Sequence, residues 1–268
     1  MTSYRTIRYE RTDAVGVLTL ARPEKRNAQN PVMWQELRAL GEALTDDPDL
    51  RCLIVRGDGN SFSAGIDLVE GLGTVAAWTD DPQDQRNHAE GALAASTFRW
   101  IPRMPWPSVA AVQGHAYGAG LQLALSCDFR IFAASARVGL IETRFGLLPD
   151  MGATVRLPRI VGEGRARELI LLGEVIDAQE AARIGLANRV VDDADIDAAA
   201  RQFSERLAAQ PPIAIRGARR ALDASWHLDA DAAFTVALDE QFACLTSDDF
   251  KEGLAALRDG RDPTWQGR

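Results

Sequence analysis

Short apolar runs bounded by Gly, Pro or Asp recur along the first half of the chain: "VGVLTLA" (Val15 to Ala21), "RCLIVRG" (Arg51 to Gly57), "SVAAVQG" (Ser108 to Gly114), "CDFRIFA" (Cys127 to Ala133) and "RVGLIE" (Arg137 to Glu142). Runs of this kind predict strands, in sheets covered on both faces. Between them, Pro31 to Leu44 carries helical spacing behind a first-turn proline, and Gly118 to Ser126 forms a second helix linking two strands. The alternation predicts an α/β architecture. From about Ala194 the strand signal disappears. "DAAARQFSERLAAQ", "PIAIRGARRALDAS", "DAAFTVALDEQFACL" and "DDFKEGLAALRDG" read as amphipathic helices, joined to the core without a low-complexity linker. The expected division is a core over residues 1–193 and a C-terminal helical section over 194–268. Residues 60–90 lack clear periodicity, and Gly71 to Gly91 is either a loop that closes over a ligand or an ordinary surface excursion.

Composition narrows the function classes. A chain of 268 residues, 46% hydrophobic and 25% charged, has ordinary globular values, and no apolar run approaches the roughly 18 residues of a membrane helix. A soluble protein without membrane contact is expected. The three cysteines are widely spaced and "MTSYRTIRYERTD" has no signal-type apolar core, which points to a reducing cytoplasm. A net charge of -8, with Lys25 and Lys251 the only lysines, argues against nucleic acid as a partner. Base is concentrated near a candidate ligand only in "ARPEKRN", where arginine suits phosphate or carboxylate recognition.

The chemistry begins at "HAYGAGLQLALSCD". Its helix opens on Gly118-Ala119-Gly120, with no side chain able to cap the first amides, so those N–H groups are open to a ligand. A second glycine-framed turn, "SFSAGIDL" (Ser61 to Leu68), follows the Arg51 strand. Two such amides converging on one carbonyl oxygen would form an oxyanion hole, in which each donor is worth about 2.7–4 kcal/mol. Either turn alone reads first as tight helix packing. His115 reads as a packing residue or a substrate contact. No Ser-His-Asp, Cys-His or metal-ligand spacing can be assembled.

Together with "ARPEKRNAQN", "FSAGIDL", "VQGHAYGAGLQLALSCD" and "FGLLPDMGATVRLPRIVG", these turns resemble the enoyl-CoA hydratase/isomerase, or crotonase, superfamily over nearly the whole chain. The resemblance implies a crotonase-like spiral of ββα units with a C-terminal helical section used in oligomerisation, as a trimer or hexamer. It also implies an acyl-CoA thioester substrate, with no cofactor beyond the coenzyme A that the substrate carries. An enolate would be held by the amides of Ile66 and Ala119. Coenzyme A would lie along Lys25, Arg26 and Ala28 on one side and Ala64, Gly65, Asp67 and Leu68 on the other, with Gly118 and Gln122 beside the substrate.

The family's hydratases place two glutamates around the substrate; here the first position carries Gln122 and the second Glu142. Glutamine is neither acid nor base near neutral pH, so the resemblance favours a double-bond shift with Glu142 as proton carrier. Asp150 lies where the family's dienoyl-CoA isomerases carry a further acid, and it equally suits a helix cap. The alternatives are a hydratase in which Glu142 alone positions water, and a non-catalytic acyl-CoA-binding oligomer.

Overall fold

A computed structural model describes residues 4–45, 47–71, 94 and 96–268. Beyond Gly71, the stretch expected to run to Gly91 lies outside the described residues. The main sheet has six strands in the order β1 (Ile7–Thr12), β2 (Val15–Leu20), β3 (Cys52–Gly57), β4 (Ser108–Val112), β6 (Phe129–Ala133) and β9 (Arg189–Val191). All its pairings are parallel except β1 with β2. A second sheet joins β5 (His115–Tyr117), β7 (Arg137–Gly139) and β8 (Val175–Asp177). Each winding of the chain lays a strand in the first sheet and a shorter one in the second: β4 leads to β5 and β6 to β7, while Ser63, just after β3, bridges to Ala116. That is a spiral of ββα units, the crotonase fold.

Burial explains why these runs are strands. One face of the main sheet packs into a core that includes Leu18, Leu20, Leu53, Phe62 and Phe132, beneath α1 (Pro31–Leu44) and α2 (Ala119–Ser126). The other face, with Val15, Cys52, Ile54, Val109 and Ile131, is covered by α6 (Ile196–Ala208). Strands covered on both sides have no polar face, so they read as continuous apolar runs. Helix α1 starts where Asn30 Oδ1 accepts from the Met33 amide at 3.0 Å, with Pro31 in the first turn. It buries Met33, Trp34, Leu37, Leu40 and Leu44 on one face.

Four strands escape the apolar-run criterion for identifiable reasons. β1, "IRYERT", buries Ile7 and exposes charge along most of its length, as suits a sheet edge that must not pair with other chains. β5, β8 and β9 span three residues each, too few to show a period. All five expected runs are shorter in the structure, two of them for reasons visible in the chain. Asp128 leaves β6 because its carboxylate accepts from the Ser108 amide at 2.8 Å and hydroxyl at 2.9 Å. The chain leaves β7 at Gly139, and Glu142–Phe145 winds as a 3-10 turn.

The remaining helices are α3 (Ala153–Val161), α4 (Glu163–Leu172), α5 (Ala178–Arg183), α7 (Pro212–Ala224), α8 (Ala230–Thr246) and α9 (Asp248–Asp259). Beyond α6 the C-terminal section exposes Leu222, Phe234, Phe242 and Leu257 on its helices and Trp226 in the turn after α7. Among the described residues no helix is long and apolar enough to cross a membrane.

The two glycine turns pack directly on each other. A Cβ on Gly120 would sit 2.3 Å from the Ser63 carbonyl oxygen, whereas one on Gly164 in α4 would meet nothing within 4 Å. Gly120→Ala is therefore expected to cost about 1–3 kcal/mol, the range of core overpacking. Gly164→Ala, the same change in open space, should be neutral or stabilising by up to about 1 kcal/mol. Denaturant unfolding of both variants checks the opposite signs.

Candidate active site

The loop after β3 is held in an extended path by backbone bonds to the 26–29 segment. Ala64 N donates to the Arg26 carbonyl at 2.9 Å, Gln29 N to the Gly65 carbonyl at 2.7 Å, and Asp67 N to the Gln29 carbonyl at 2.8 Å. In such a parallel bridge the middle residue points its own amide the other way. Ile66 N–H accordingly donates to no described residue and faces away from the 26–29 segment.

The opposite wall is the start of α2. Gly118 caps this helix with no side-chain bond, and its own amide is taken by the Gly139 carbonyl at 2.9 Å. The Ala119 amide, one of the orphan donors of the first turn, has no acceptor among the described residues. Glycine keeps the two walls close. A Cβ on Gly65, whose φ is +97°, would lie 2.7 Å from the Tyr117 carbonyl oxygen and 3.7 Å from Ala119 N. The glycine turns pack tightly, and the amides of Ile66 and Ala119 have no acceptor among the described residues.

Glu142 stands beside them, on the turn after β7. Its carboxylate would be 3.4 Å from a Cβ on Gly118. Oε1 accepts from Gln122 Nε2 at 2.8 Å, while Oε2 is buried without a hydrogen-bond partner among the described residues. The other end of the Gln122 amide accepts from Ala153 N at 3.2 Å, at the start of α3. Burial pushes the Glu142 carboxyl above its ordinary value, the hydrogen bonds from its own amide and Gln122 pull it back, and the charge of Asp150 pushes it up again. Asp150 is also raised, by desolvation. It does not cap α3: the N-cap is Gly152, without a side-chain bond.

A pocket of about 380 Å³ opens in front of these groups. Of the residues singled out from the sequence, Lys25, Ala28, Ala64, Gly65, Ile66, Asp67, Leu68, Gly118, Ala119 and Glu142 line it. Arg26, Gln122 and Asp150 are not among its lining residues. Arg26 contributes its carbonyl to the loop, Gln122 stands behind Glu142, and Asp150 acts on Glu142 through its charge. His115 bonds through Nδ1 to Ser61 Oγ at 3.0 Å; burial, then Arg26 and Arg137, hold its pKa down. The described residues hold no cluster of His, Cys, Asp or Glu able to bind a metal ion.

Two features were not anticipated. Arg22, in the basic "ARPEKRN" segment, is buried: its Nη1 donates to the Ala28 carbonyl at 2.7 Å and to Asp67 at 3.1 Å, and its Nη2 meets Glu70 at 3.0 Å. Burial pushes Asp67 up, but the amides of Glu70 and Val69 and this guanidinium outweigh it, so its carboxyl stays below the ordinary range. The signal was present in the acids of "GIDLVE", but nothing local shows that they fold back onto Arg22. The second feature is an apolar wall of Ile141, Phe145 and Leu147, contributed by irregular chain around the Glu142 turn.

A family model described as enoyl-CoA hydratase/isomerase matches residues 10–268. A crotonyl-CoA hydratase of Syntrophomonas wolfei subsp. wolfei is 35% identical over 260 residues, covering 97% of each chain. The crystal structure of an enoyl-CoA hydratase from Bacillus anthracis aligns with a TM-score of 0.90 at 32% identity, covering 98% of this chain and 100% of that one. A Thermobifida fusca YX protein, provisionally assigned as an enoyl-CoA hydratase and solved with acetoacetyl-CoA, aligns with a TM-score of 0.80 at 36% identity, over 90% of this chain and 94% of that one. The two free amides, the adjacent carboxylate and a match along almost the full length agree: the chain belongs to the enoyl-CoA hydratase/isomerase family of acyl-CoA enzymes.

Proposed function

We propose that the protein moves a carbon-carbon double bond along the acyl chain of an enoyl-CoA, with Glu142 as the proton carrier. One observation carries this reading: Glu142, whose Oε2 has no hydrogen-bond partner among the described residues, lines one pocket with Ile66 and Ala119, whose amides have none there either, while the neighbouring position is the neutral Gln122. The thioester oxygen sits between Ile66 N–H and Ala119 N–H. Glu142 removes a proton from C2 of a 3-enoyl-CoA, and the C–H electron pair forms the enolate whose oxygen the amides hold. The electrons return through C2=C3, and the proton on Glu142 is delivered to C4. Addition of water across the double bond by an acid and base pair would require a second group that Gln122 cannot supply.

The coenzyme A portion is assigned to the Lys25, Ala28 and Ala64–Leu68 side of the pocket, with Arg26 at its phosphates. The exposed apolar side chains of α7 to α9 support assembly as a trimer or hexamer. Hydration by Glu142 alone is the second reading, favoured by the relative named as a crotonyl-CoA hydratase.

Glu142→Gln should lower isomerisation by about 10²- to 10⁴-fold with the dissociation constant for the thioester nearly unchanged. The base form of Glu142 is the active one and its pKa is raised, so kcat/KM should fall as pH drops, with the acid limb above the ordinary carboxylate value of 4.5. Retained turnover, or retained exchange of the α-hydrogen with deuterated water, would remove Glu142 from the mechanism. Complete absence of that exchange in the unmodified protein would mark a binder.

Crotonyl-CoA should be hydrated slowly by the unmodified protein, and Gln122→Glu should raise that rate by supplying the second acid. Fast hydration, followed as loss of enoyl absorbance, would establish the second reading instead.

Asp150 is assigned to the far end of a conjugated 3,5-dienoyl-CoA, where proton transfer needs a group within about 3 Å or one bridging water. Asp150→Asn should abolish dienoyl isomerisation and leave 3-enoyl isomerisation intact. Equal activity on both substrates would make Glu142 the sole proton carrier.

A further inference from the structure

Resting on the assignment of Glu142 as the base, we infer that Gln122 is a positioning residue that dedicates one oxygen of Glu142, Oε2, to proton transfer and keeps the other out of the reaction. Gln122 is only 2% exposed, and both ends of its amide are engaged. Nε2 donates to Glu142 Oε1 at 2.8 Å, and Oε1 accepts from Ala153 N at 3.2 Å. A carboxylate can only accept in that first bond and a backbone amide can only donate in the second, so the orientation of the glutamine is determined from both sides. Flipping it would set oxygen against carboxylate and N–H against N–H.

This relay links three segments that are distant in sequence: the middle of α2, the turn carrying Glu142 and the first residue of α3. Helix α3 has no side-chain N-cap of its own, so Gln122 serves that end as well. Glu142 belongs to a four-residue 3-10 turn in which no residue is fully buried, and such a short element cannot hold a rotamer by packing alone. The hydrogen bond does so. It leaves Oε2 buried without a partner among the described residues, on a side chain that lines the same pocket as Ile66 and Ala119.

The arrangement also sets the pH at which Glu142 becomes a base. The groups that face it from α2 and α3, Gln122 and the Ala153 amide end of the relay, are uncharged. Asp150, on the segment leading into α3, contributes a like charge that favours the protonated form. Across the pocket lie Lys25 and Asp67, the latter paired with Arg22. Against burial and Asp150, the Gln122 bond stabilises the carboxylate form, as a donor to a charged acceptor does. A glutamate at this position would instead bring a second negative charge to Oε1.

Two variants test the assignment through the pH dependence of isomerisation and α-hydrogen exchange. Gln122→Met keeps volume and removes both bonds; it should lower kcat by roughly 10-fold or more with little change in KM, and move the acid limb up by about one pH unit, the scale of a lost hydrogen bond to a charged group. Gln122→Glu keeps an acceptor for Ala153 N and therefore the end of α3, and should move the limb at least as far, because like charges in contact resist joint ionisation. An acid limb unmoved in both variants, or a change confined to KM, would overturn the role of Gln122. That result is distinguishable from failure of the underlying reading, which is decided separately by retained activity in Glu142→Gln.

Discussion

The structure depends on the close approach of two turns that only glycine allows. Gly120 lets the start of α2 rest on the Ser63 carbonyl, and Gly65 lets the loop after β3 rest on the Tyr117 carbonyl. A methyl group would lie 2.3 Å from the Ser63 carbonyl oxygen at Gly120 and 2.7 Å from the Tyr117 carbonyl oxygen at Gly65, so either would push the walls apart, since real contacts to Cβ are essentially never shorter than 3.0 Å. With the walls in contact, the amides of Ile66 and Ala119 end up on the same side of the same gap. Those amides are free for different local reasons, one by the alternation of an extended chain and one because a helix start lacks a cap. Stacking the turns brings two unrelated vacancies to the wall of one pocket.

Around that site the protein treats its buried charges in two ways. Asp67 receives a full partner: the Arg22 guanidinium, which also ties the Ala28 carbonyl and Glu70 into one unit. Removing Arg22 would leave Asp67 with only the amides of Val69 and Glu70, and removing Asp67 would leave Arg22 with Glu70 and the Ala28 carbonyl. This pair is structural, and it keeps the Ile66 loop in register with the 26–29 segment. Glu142 receives a neutral amide on one oxygen and, among the described residues, no partner on the other. A carboxylate held so incompletely contributes little to stability, and burial leaves it more basic than an ordinary glutamate.

Much of this was legible locally. The five apolar runs mark strands because both faces of the main sheet are covered, by α1 and α2 on one side and α6 on the other, so burial is written continuously into residues such as Leu53 to Val55 and Val109 to Val112. The uncapped start at Gly118 was visible because a missing cap is a local property. By the same logic β1 was hidden, since its charges serve a sheet edge. The C-terminal helices were equally plain as amphipathic stretches, but amphipathicity does not say what covers the apolar face. α6 lies on the sheet, whereas α8 buries none of its residues in this chain.

What the sequence by itself determined is therefore the set of elements and the backbone freedom at two turns, because helix period, strand burial and glycine geometry are decided by near neighbours. Tertiary structure alone decided which groups meet. Gln122 reaches Glu142 and Ala153 only because α2, the turn after β7 and α3 converge where the small sheet ends. Arg22 finds Asp67 only because the loop after β3 folds back along the 26–29 segment. In each case the partners lie 20 to 45 residues apart, and a hydrogen bond of about 3 Å between such residues is set by how the strands stack, which no local pattern encodes.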